Sequence, residues 1–180
     1  MLYFTSNRNI HFTIFILLIL GHQKRIEMNE LSEGQKAPEF TVNDQNGKSV
    51  SLSNFAGKSI ILYFYPKDDT PGCTAEACSF RDNYESLLAE GFEVLGVSTD
   101  DEKSHLKFIG KYNLPFSLIA DTEKKIVEAY GVWVEKNMYG KKYMGVSRKT
   151  FIIDKNGMIR KIIDKVDTKN SSAQVLEFLK

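Results

Sequence analysis

This 180-residue chain has two cysteines, Cys73 and Cys78, which lie five positions apart. Their thiol groups and close spacing make them the first candidates for a chemical function. They follow the turn-forming stretch 67–72, which predicts Cys73 at the start of a helix. Free backbone N–H groups and the helix dipole stabilise an anion there, and the thiolate anion is the reactive form of cysteine. We therefore predict that Cys73 is a nucleophile near neutral pH.

The position of Cys78 indicates a redox cycle. In a continuous helix, five residues give ~7.5 Å of rise and about 140° of rotation, so the two cysteine side chains point apart. A disulfide needs Cβ atoms ~4 Å apart, so a bond between Cys73 and Cys78 requires the first turns of the helix to unwind. Oxidation of Cys73 to a sulfenic acid, which Cys78 then traps as a disulfide, fits this arrangement.

Charged residues near the cysteines bear on this prediction. Asp68 and Asp69 are close in sequence, and a nearby negative charge favours the neutral thiol over the thiolate. A cation from elsewhere in the fold is therefore needed. Arg148 is the candidate, because it stands at the head of a strand-like run, 149–153, that can lie beside the first core strand.

Three other chargeable residues are placed outside the site. Glu76 and Arg81 are expected to form an exposed ion pair along the helix, and such a pair contributes little to stability. His105 belongs to no recognisable functional motif. With only His11, His22 and His105 available, the cysteines also lack the spacing of a zinc site, so no metal is expected.

Strands and helices are predicted to alternate along the chain. A β-branched and aromatic run, 58–66, indicates a strand covered on both faces, and a helix follows it, runs through both cysteines and ends near Gly91. Further strands are predicted at 92–99 and 116–121, helices at 100–114, 122–131 and 171–180, and hairpins around Asn46-Gly47 and Asn156-Gly157. This order predicts an α/β fold with a mixed central sheet.

Composition limits the possible functions. The length and a hydrophobic content of 42% fit one domain with its own core. There are 24 basic and 23 acidic residues with no long run of one sign, so a nucleic-acid partner is not expected. Two cysteines are too few for a disulfide-stapled secreted scaffold.

The segment 1–27 differs from the domain predicted at 28–180. Its apolar run, 10–20, is shorter than the ~20 residues of a membrane-spanning helix. The run suits the h-region of a secretory signal, but no small-x-small cleavage site follows it. Two interpretations remain open. Either translation starts at Met28 and the protein is cytoplasmic, or residues 1–27 are a signal or anchor that exports the protein or attaches it to a membrane.

The stretches YPKDDTPGCTAEACSFRD and GVWVEKNMYGKKYMGVSRKTFIID resemble the peroxiredoxins, and closely the PrxQ group, also called bacterioferritin comigratory protein. The resemblance covers about residues 30–180. Pro66, Thr70 and Cys73 match the family motif Pro-x-x-x-Thr-x-x-Cys, and Arg148 matches its distant arginine. The resemblance implies a thioredoxin-like fold with an added N-terminal β-hairpin, in which Cys73 is the peroxidatic cysteine and Cys78 the resolving one.

The resemblance also implies an activity and partners. Such proteins reduce hydrogen peroxide and organic hydroperoxides, use thioredoxin as electron donor, need no metal or organic cofactor, and are often monomeric. In that reaction the Thr70 hydroxyl and Arg148 stabilise charge that moves along the O–O bond. The backbone N–H groups of Gly72 and Cys73 complete the anion site, and Pro66 excludes water.

Two other functions are compatible with the cysteines. In a redox sensor, the switch between Cys73 and Cys78 changes a partner surface without sustained turnover. A dithiol oxidoreductase is disfavoured, because those enzymes use Cys-x-x-Cys and here four residues intervene. Two small buried residues without chemistry are the remaining interpretation, which the turn motif before Cys73 disfavours.

Overall fold

The computed structural model describes residues 30–178, so the predicted N-terminal extension, 1–27, lies outside the described part. Within it, the strands are β1 (Thr41–Asn43), β2 (Ser49–Ser51), β3 (Ser59–Phe64), β4 (Phe92–Ser98), β5 (Ser117–Ala120), β6 (Trp133–Met138), β7 (Lys141–Val146), β8 (Lys149–Ile153) and β9 (Ile159–Ile163). The α-helices are α1 (Pro71–Asp82), α2 (Tyr84–Ala89), α3 (Glu102–Tyr112), α4 (Lys125–Ala129) and α5 (Ser171–Phe178).

A five-stranded mixed sheet in the order β5-β4-β3-β8-β9 forms the centre of the fold. β3 runs parallel to β4, and β4 runs parallel to β5. On its other side β3 pairs antiparallel with β8, which pairs antiparallel with β9. β3 is buried along almost its whole length, as its continuous apolar sequence predicts.

The two faces of the sheet bury separate apolar clusters. Ile61 and Tyr63 point to the face covered by residues of α1, α2, α3 and α5. Leu62 and Phe64 point to the other face, which is covered by α4 and the hairpin of β1 and β2. The predicted α/β class, the mixed sheet and the added N-terminal hairpin are therefore confirmed.

Three details differ from the predictions. The helix that carries the cysteines is interrupted at Asn83, which divides it into α1 and α2. α4 is shorter than predicted. β6 and β7 form an unpredicted hairpin around Tyr139 and Gly140, whose φ angles of 52° and 80° suit a tight turn. Between residues 30 and 178, no helix combines the length and apolar character that crossing a bilayer requires.

Candidate active site

Cys73 lies in the first turn of α1, directly after the loop that leaves β3. Thr70 has extended backbone angles and forms the N-cap, and Pro71 is the first helical residue. Proline suits that position because it has no N–H to leave unpaired and its φ is already helical. Cys73 is therefore the third helical residue, near the helix N-terminus as predicted, and the residue is only 1% exposed.

Arg148 lies beside the Cys73 thiol. It directly precedes β8, and the register that pairs Phe64 with Lys149 brings this end of β8 to the end of β3. Nη2 of Arg148 donates to Sγ of Cys73 at 3.2 Å. The same nitrogen lies 3.3 Å from the place that a Cβ on Gly72 would occupy. The guanidinium thus packs against the first turn of α1, next to the thiol that the sequence paired with it.

Glu76 holds the other side of this guanidinium. Its carboxylate accepts a hydrogen bond from Nη1 of Arg148, and its side chain is fully buried. The predicted exposed pair of Glu76 with Arg81 is wrong, since Arg81 binds Asp82 and the carbonyl oxygen of Tyr112 instead. The physical reason is the helix period, because Glu76 falls on the buried stripe of α1 rather than on its exposed face.

The pKa values of this pair reflect its burial. Burial raises the pKa of Glu76 from 4.5 to about 7, and the attraction of Arg148 offsets only part of that effect. For Arg148, burial disfavours the charge, but Glu76 and Cys73 together hold its pKa above the ordinary value. Arg148 therefore remains a cation shared between a carboxyl group and a thiol.

Replacing Glu76 with glutamine will change how stability depends on pH. Because burial raises the folded-state pKa of Glu76 from 4.5 to about 7, the unfolded chain loses this proton first. Wild type therefore loses about 3 kcal/mol of stability as pH rises through that window. Glu76→Gln cannot ionise and will lack this loss. Urea unfolding at pH 4.5 and 7.5 measures it.

The control for that experiment is Glu85→Gln, at an exposed position on α2. The attribution to Glu76 fails if wild type and Glu76→Gln lose stability in parallel between the two pH values.

Asp69 is bound to α3 rather than left free beside the thiol. Its oxygens accept from Nζ of Lys111 at 2.8 and 2.7 Å and from Oη of Tyr112 at 2.6 Å. The bonds to Lys111 and Tyr112 lower the pKa of Asp69. Its φ of 53° is left-handed, which costs energy for a residue with a Cβ, so these bonds hold the loop in a strained conformation.

Asp68 is also compensated. Its buried carboxylate accepts from Oη of Tyr65, from Oγ of Ser104, and lies 2.8 Å from Nδ1 of His105. The sequence predicts that Asp68 and Asp69 oppose the thiolate. In the structure, the negative charge of each aspartate is offset by contacts with side chains of α3.

Thr70 and Pro66 lie in the same loop. The Thr70 hydroxyl donates to the Lys67 carbonyl oxygen at 3.0 Å, so its oxygen keeps lone pairs free to accept a hydrogen bond. Pro66 follows the buried Tyr65 and is half-buried. The loop thus carries both residues on the short connection between β3 and Cys73.

Cys78 lies further along the same continuous helix and is half-buried, and both cysteines are free thiols. The next residue, Ser79, is held by α5, because its Oγ lies 3.0 Å from Oγ of Ser172 and accepts from the backbone N of Ser172 at 3.2 Å. α1 is therefore fixed to α5 just beyond Cys78. Within residues 30–178, no group of three His, Cys, Asp or Glu side chains is arranged to hold a metal ion.

Comparison with known proteins assigns the family. Residues 33–162 match the AhpC/TSA family model. A putative peroxiredoxin bcp of Coxiella burnetii is 51% identical over 143 residues, which are 79% of this chain and 95% of that protein. The chain belongs to the peroxiredoxins, in the Bcp/PrxQ group. Peroxiredoxin Bcp of Bacillus subtilis is 50% identical over 82% of this chain and 94% of its own length.

Solved peroxiredoxin structures share the fold. PrxQ of Xylella fastidiosa has a TM-score of 0.78 and 29% identity, and covers 83% of this chain and 95% of its own. Bacterioferritin comigratory protein of Xanthomonas campestris has a TM-score of 0.76 and 33% identity, over 82% and 97% of the two chains. The predicted thioredoxin-like fold is confirmed, and as a peroxiredoxin the chain is a peroxidase.

The sequence did not predict the contacts of two residues, Glu76 and His105, that lie close to the peroxiredoxin motif in the structure. Glu76 carries one available signal, a carboxylate at a core position of an amphipathic helix. His105 carries a weaker one, a polar residue three positions before the buried Phe108 on α3. Neither signal names the partner, because the partners lie on other elements.

Proposed function

We propose that this peroxiredoxin reduces hydrogen peroxide and organic hydroperoxides through a Cys73 sulfenic acid and a Cys73–Cys78 disulfide that thioredoxin reduces. One observation carries the proposal: Nη2 of Arg148 donates at 3.2 Å to the sulfur of a buried cysteine at a helix N-terminus. Such a site stabilises the thiolate and the charge that leaves it. The bacterioferritin comigratory protein of Xanthomonas campestris has alkyl peroxide reduction activity, which supports organic substrates.

The first step is an in-line displacement at the O–O bond. The Cys73 thiolate attacks the terminal oxygen of the hydroperoxide, the S–O bond forms and the O–O bond breaks. The alkoxide or hydroxide that leaves takes a proton and departs as alcohol or water, and Cys73 becomes a sulfenic acid. Arg148 stabilises the sulfur before attack and the oxygens as charge reaches them.

The loop residues orient the hydroperoxide. Because the Thr70 hydroxyl donates its hydrogen bond to the Lys67 carbonyl oxygen, its oxygen can accept a hydrogen bond from the O–H of the substrate. The N–H groups of Gly72 and Cys73 belong to the first turn of α1, whose N–H groups have no partner within the helix, and they complete the anion site. Pro66 forms an apolar wall that excludes water without competing for hydrogen bonds.

The second step forms the disulfide and the third removes it. Cys78 attacks the Cys73 sulfenic acid and releases water, after the first turns of α1 unwind to bring the sulfurs together. A thioredoxin dithiol then reduces the disulfide, restoring both thiols while it becomes a disulfide itself. Both cysteines come from one chain, so we propose that the enzyme works as a monomer, which light scattering of the purified protein will test.

Sustained turnover tests the proposed function against a redox sensor. With thioredoxin, thioredoxin reductase, NADPH and either hydrogen peroxide or cumene hydroperoxide, we expect many equivalents of NADPH consumed per protein. A protein that stops after one equivalent is a sensor. Equal rates with thioredoxin omitted would refute thioredoxin as the reductant.

Replacing Cys78 with serine will separate the first step from the second. Cys73 oxidation will keep its rate within about threefold, since the change leaves the hydrogen bond between Arg148 and Cys73 in place. Recycling by thioredoxin will fall by at least about 100-fold, and sulfenic acid will accumulate. Dimedone labelling followed by intact-mass measurement detects it. Recycling at the wild-type rate would mean that another thiol resolves the sulfenic acid.

We propose a cytoplasmic location, supported by the apolar run 10–20, which is shorter than a bilayer span and is not followed by a small-x-small cleavage site. Cell fractionation with intact-mass measurement of the native protein tests this. Recovery in the membrane or exported fraction would favour a signal or anchor in residues 1–27.

A further inference from the structure

A buried polar cluster lies outside the reaction site and has no assigned role. His105 is 0% exposed on α3. Its Nδ1 lies 2.8 Å from Oδ2 of Asp68, and its Nε2 lies 3.1 Å from the carbonyl oxygen of Ile119 on β5. Oη of Tyr65 donates to the other Asp68 oxygen at 2.7 Å, and Oγ of Ser104 donates to Oδ2 at 2.7 Å.

The hydrogen bonds limit where the protons lie. The carbonyl oxygen of Ile119 only accepts, so Nε2 of His105 carries a proton. Oxygens of Asp68 accept from Tyr65 and Ser104, and one further proton lies between Oδ2 of Asp68 and Nδ1 of His105. On Nδ1 that proton makes the contact a buried ion pair, whereas on Oδ2 it leaves both side chains neutral.

The contact between His105 and Asp68 lies at the start of the loop that leads to the thiol. Asp68 precedes Cys73 by five residues, and Thr70 and Pro71 lie between them. The backbone N of Asp68 donates to Oδ2 of Asp100 at 2.8 Å, which ties the loop to the end of β4 as well. The loop is thus held from β4, β5 and α3 through one aspartate.

We propose that His105 is a positioning residue for the peroxidatic reaction: as a buried imidazolium it cancels the charge of Asp68 in the loop that leads to Cys73. Without that cation, the Asp68 carboxylate repels a thiolate that the rest of the site stabilises. The role of Cys73 as nucleophile belongs to the proposed function, and the charge on His105 does not depend on it.

The protonation of His105 has a direct spectroscopic signature. In reduced wild-type protein labelled with ¹⁵N-histidine, at pH 7.5, we expect both ring nitrogens of His105 to show the shifts of an imidazolium, with two slowly exchanging N–H protons. The spectrum of His105→Gln assigns the signals. A neutral ring with one N–H overturns the proposal, whether or not the protein consumes peroxide.

The effect on Cys73 is measured with a charge rescue. His105→Gln leaves the Asp68 carboxylate without its cation, and we expect the rate of Cys73 alkylation by iodoacetamide at pH 7 to fall at least tenfold. The double variant Asp68→Asn with His105→Gln removes the charge and will recover to within about threefold of wild type. Lys107→Gln, exposed on the same helix, is the matched control and will leave the rate unchanged.

A merely structural role predicts a different pattern. In that case the double variant alkylates as slowly as His105→Gln, or more slowly, and the proposal fails. An unchanged alkylation rate in His105→Gln also overturns it. Asp68→Asn alone keeps the bonds with a neutral imidazole, since its amide donates to Nδ1, so it remains informative if His105→Gln does not fold. We expect its rate within threefold of wild type, and a tenfold fall contradicts charge cancellation.

Discussion

Replacing Cys73 with serine will reduce peroxide consumption to the level of buffer alone. A serine hydroxyl ionises far less readily than a thiol, and the positive charge of Arg148 does not make up the difference, so no nucleophile forms near neutral pH. The loss will be at least about 10³-fold in the second-order rate constant with peroxide. Stopped-flow mixing of reduced protein with hydrogen peroxide, followed by residual-peroxide assay, measures it.

Cys78→Ser is the matched control for this result, because it removes the same thiol group from the same helix. It will still consume one equivalent of peroxide, whereas Cys73→Ser will consume none. If Cys73→Ser retains one equivalent and Cys78→Ser loses it, the two cysteines have the opposite roles. If both retain it, Cys73 is not the sole nucleophile.

Substitution of Arg148 will produce the second largest loss. Arg148→Gln removes the cation from the thiol and leaves the buried Glu76 without its partner, and the rate of Cys73 oxidation will fall roughly 10²- to 10³-fold, as loss of a donor to a developing anion does elsewhere. Arg148→Lys keeps the positive charge, but a lysine lacks the two separate nitrogens with which Arg148 binds Glu76 and Cys73 at the same time. Its rate will lie between those of wild type and Arg148→Gln.

The Arg148 experiment needs a control for unfolding. Lys142→Gln, at an exposed position on β7, changes the net charge equally and will leave the rate unchanged. Circular dichroism and urea unfolding of each variant separate loss of fold from loss of rate. A rate for Arg148→Gln within threefold of wild type, in a folded protein, would show that the helix N-terminus alone activates Cys73.

The contiguous part of the site was predictable because local rules determine it. A buried strand that ends at Pro66, a turn and a proline at the first helical position place Cys73 in the first turn of α1, and each step depends on neighbouring residues only. Arg148 was predictable only with the family resemblance, because an arginine at the head of a strand is by itself more often a solvated surface charge. The apolar run that follows it allowed, but did not require, that its strand lie beside β3.

The remaining features depend on contacts between distant elements. Glu76 binds a guanidinium 72 positions away, and His105 binds an aspartate 37 positions away, so neither has a local signature. The hairpin of β6 and β7 escaped prediction because its exposed part mixes charged side chains with apolar ones such as Met138 and Met144, and burial is confined to its base. Apolar alternation, the main signal of a strand, is therefore weak there.

The contact between Ser79 and Ser172 divides α1 into two parts with different roles in the proposed cycle. In the proposed cycle, residues 71–78 uncoil to join the sulfurs, and we expect the part from Ser79 onward to stay docked on α5 through this contact. Starting a helix is the costly step, and lengthening an existing one adds residues within nanoseconds. Once the disulfide is reduced, the docked part serves as a template on which the missing turns regrow, so restoring the reactive form requires no fresh nucleation.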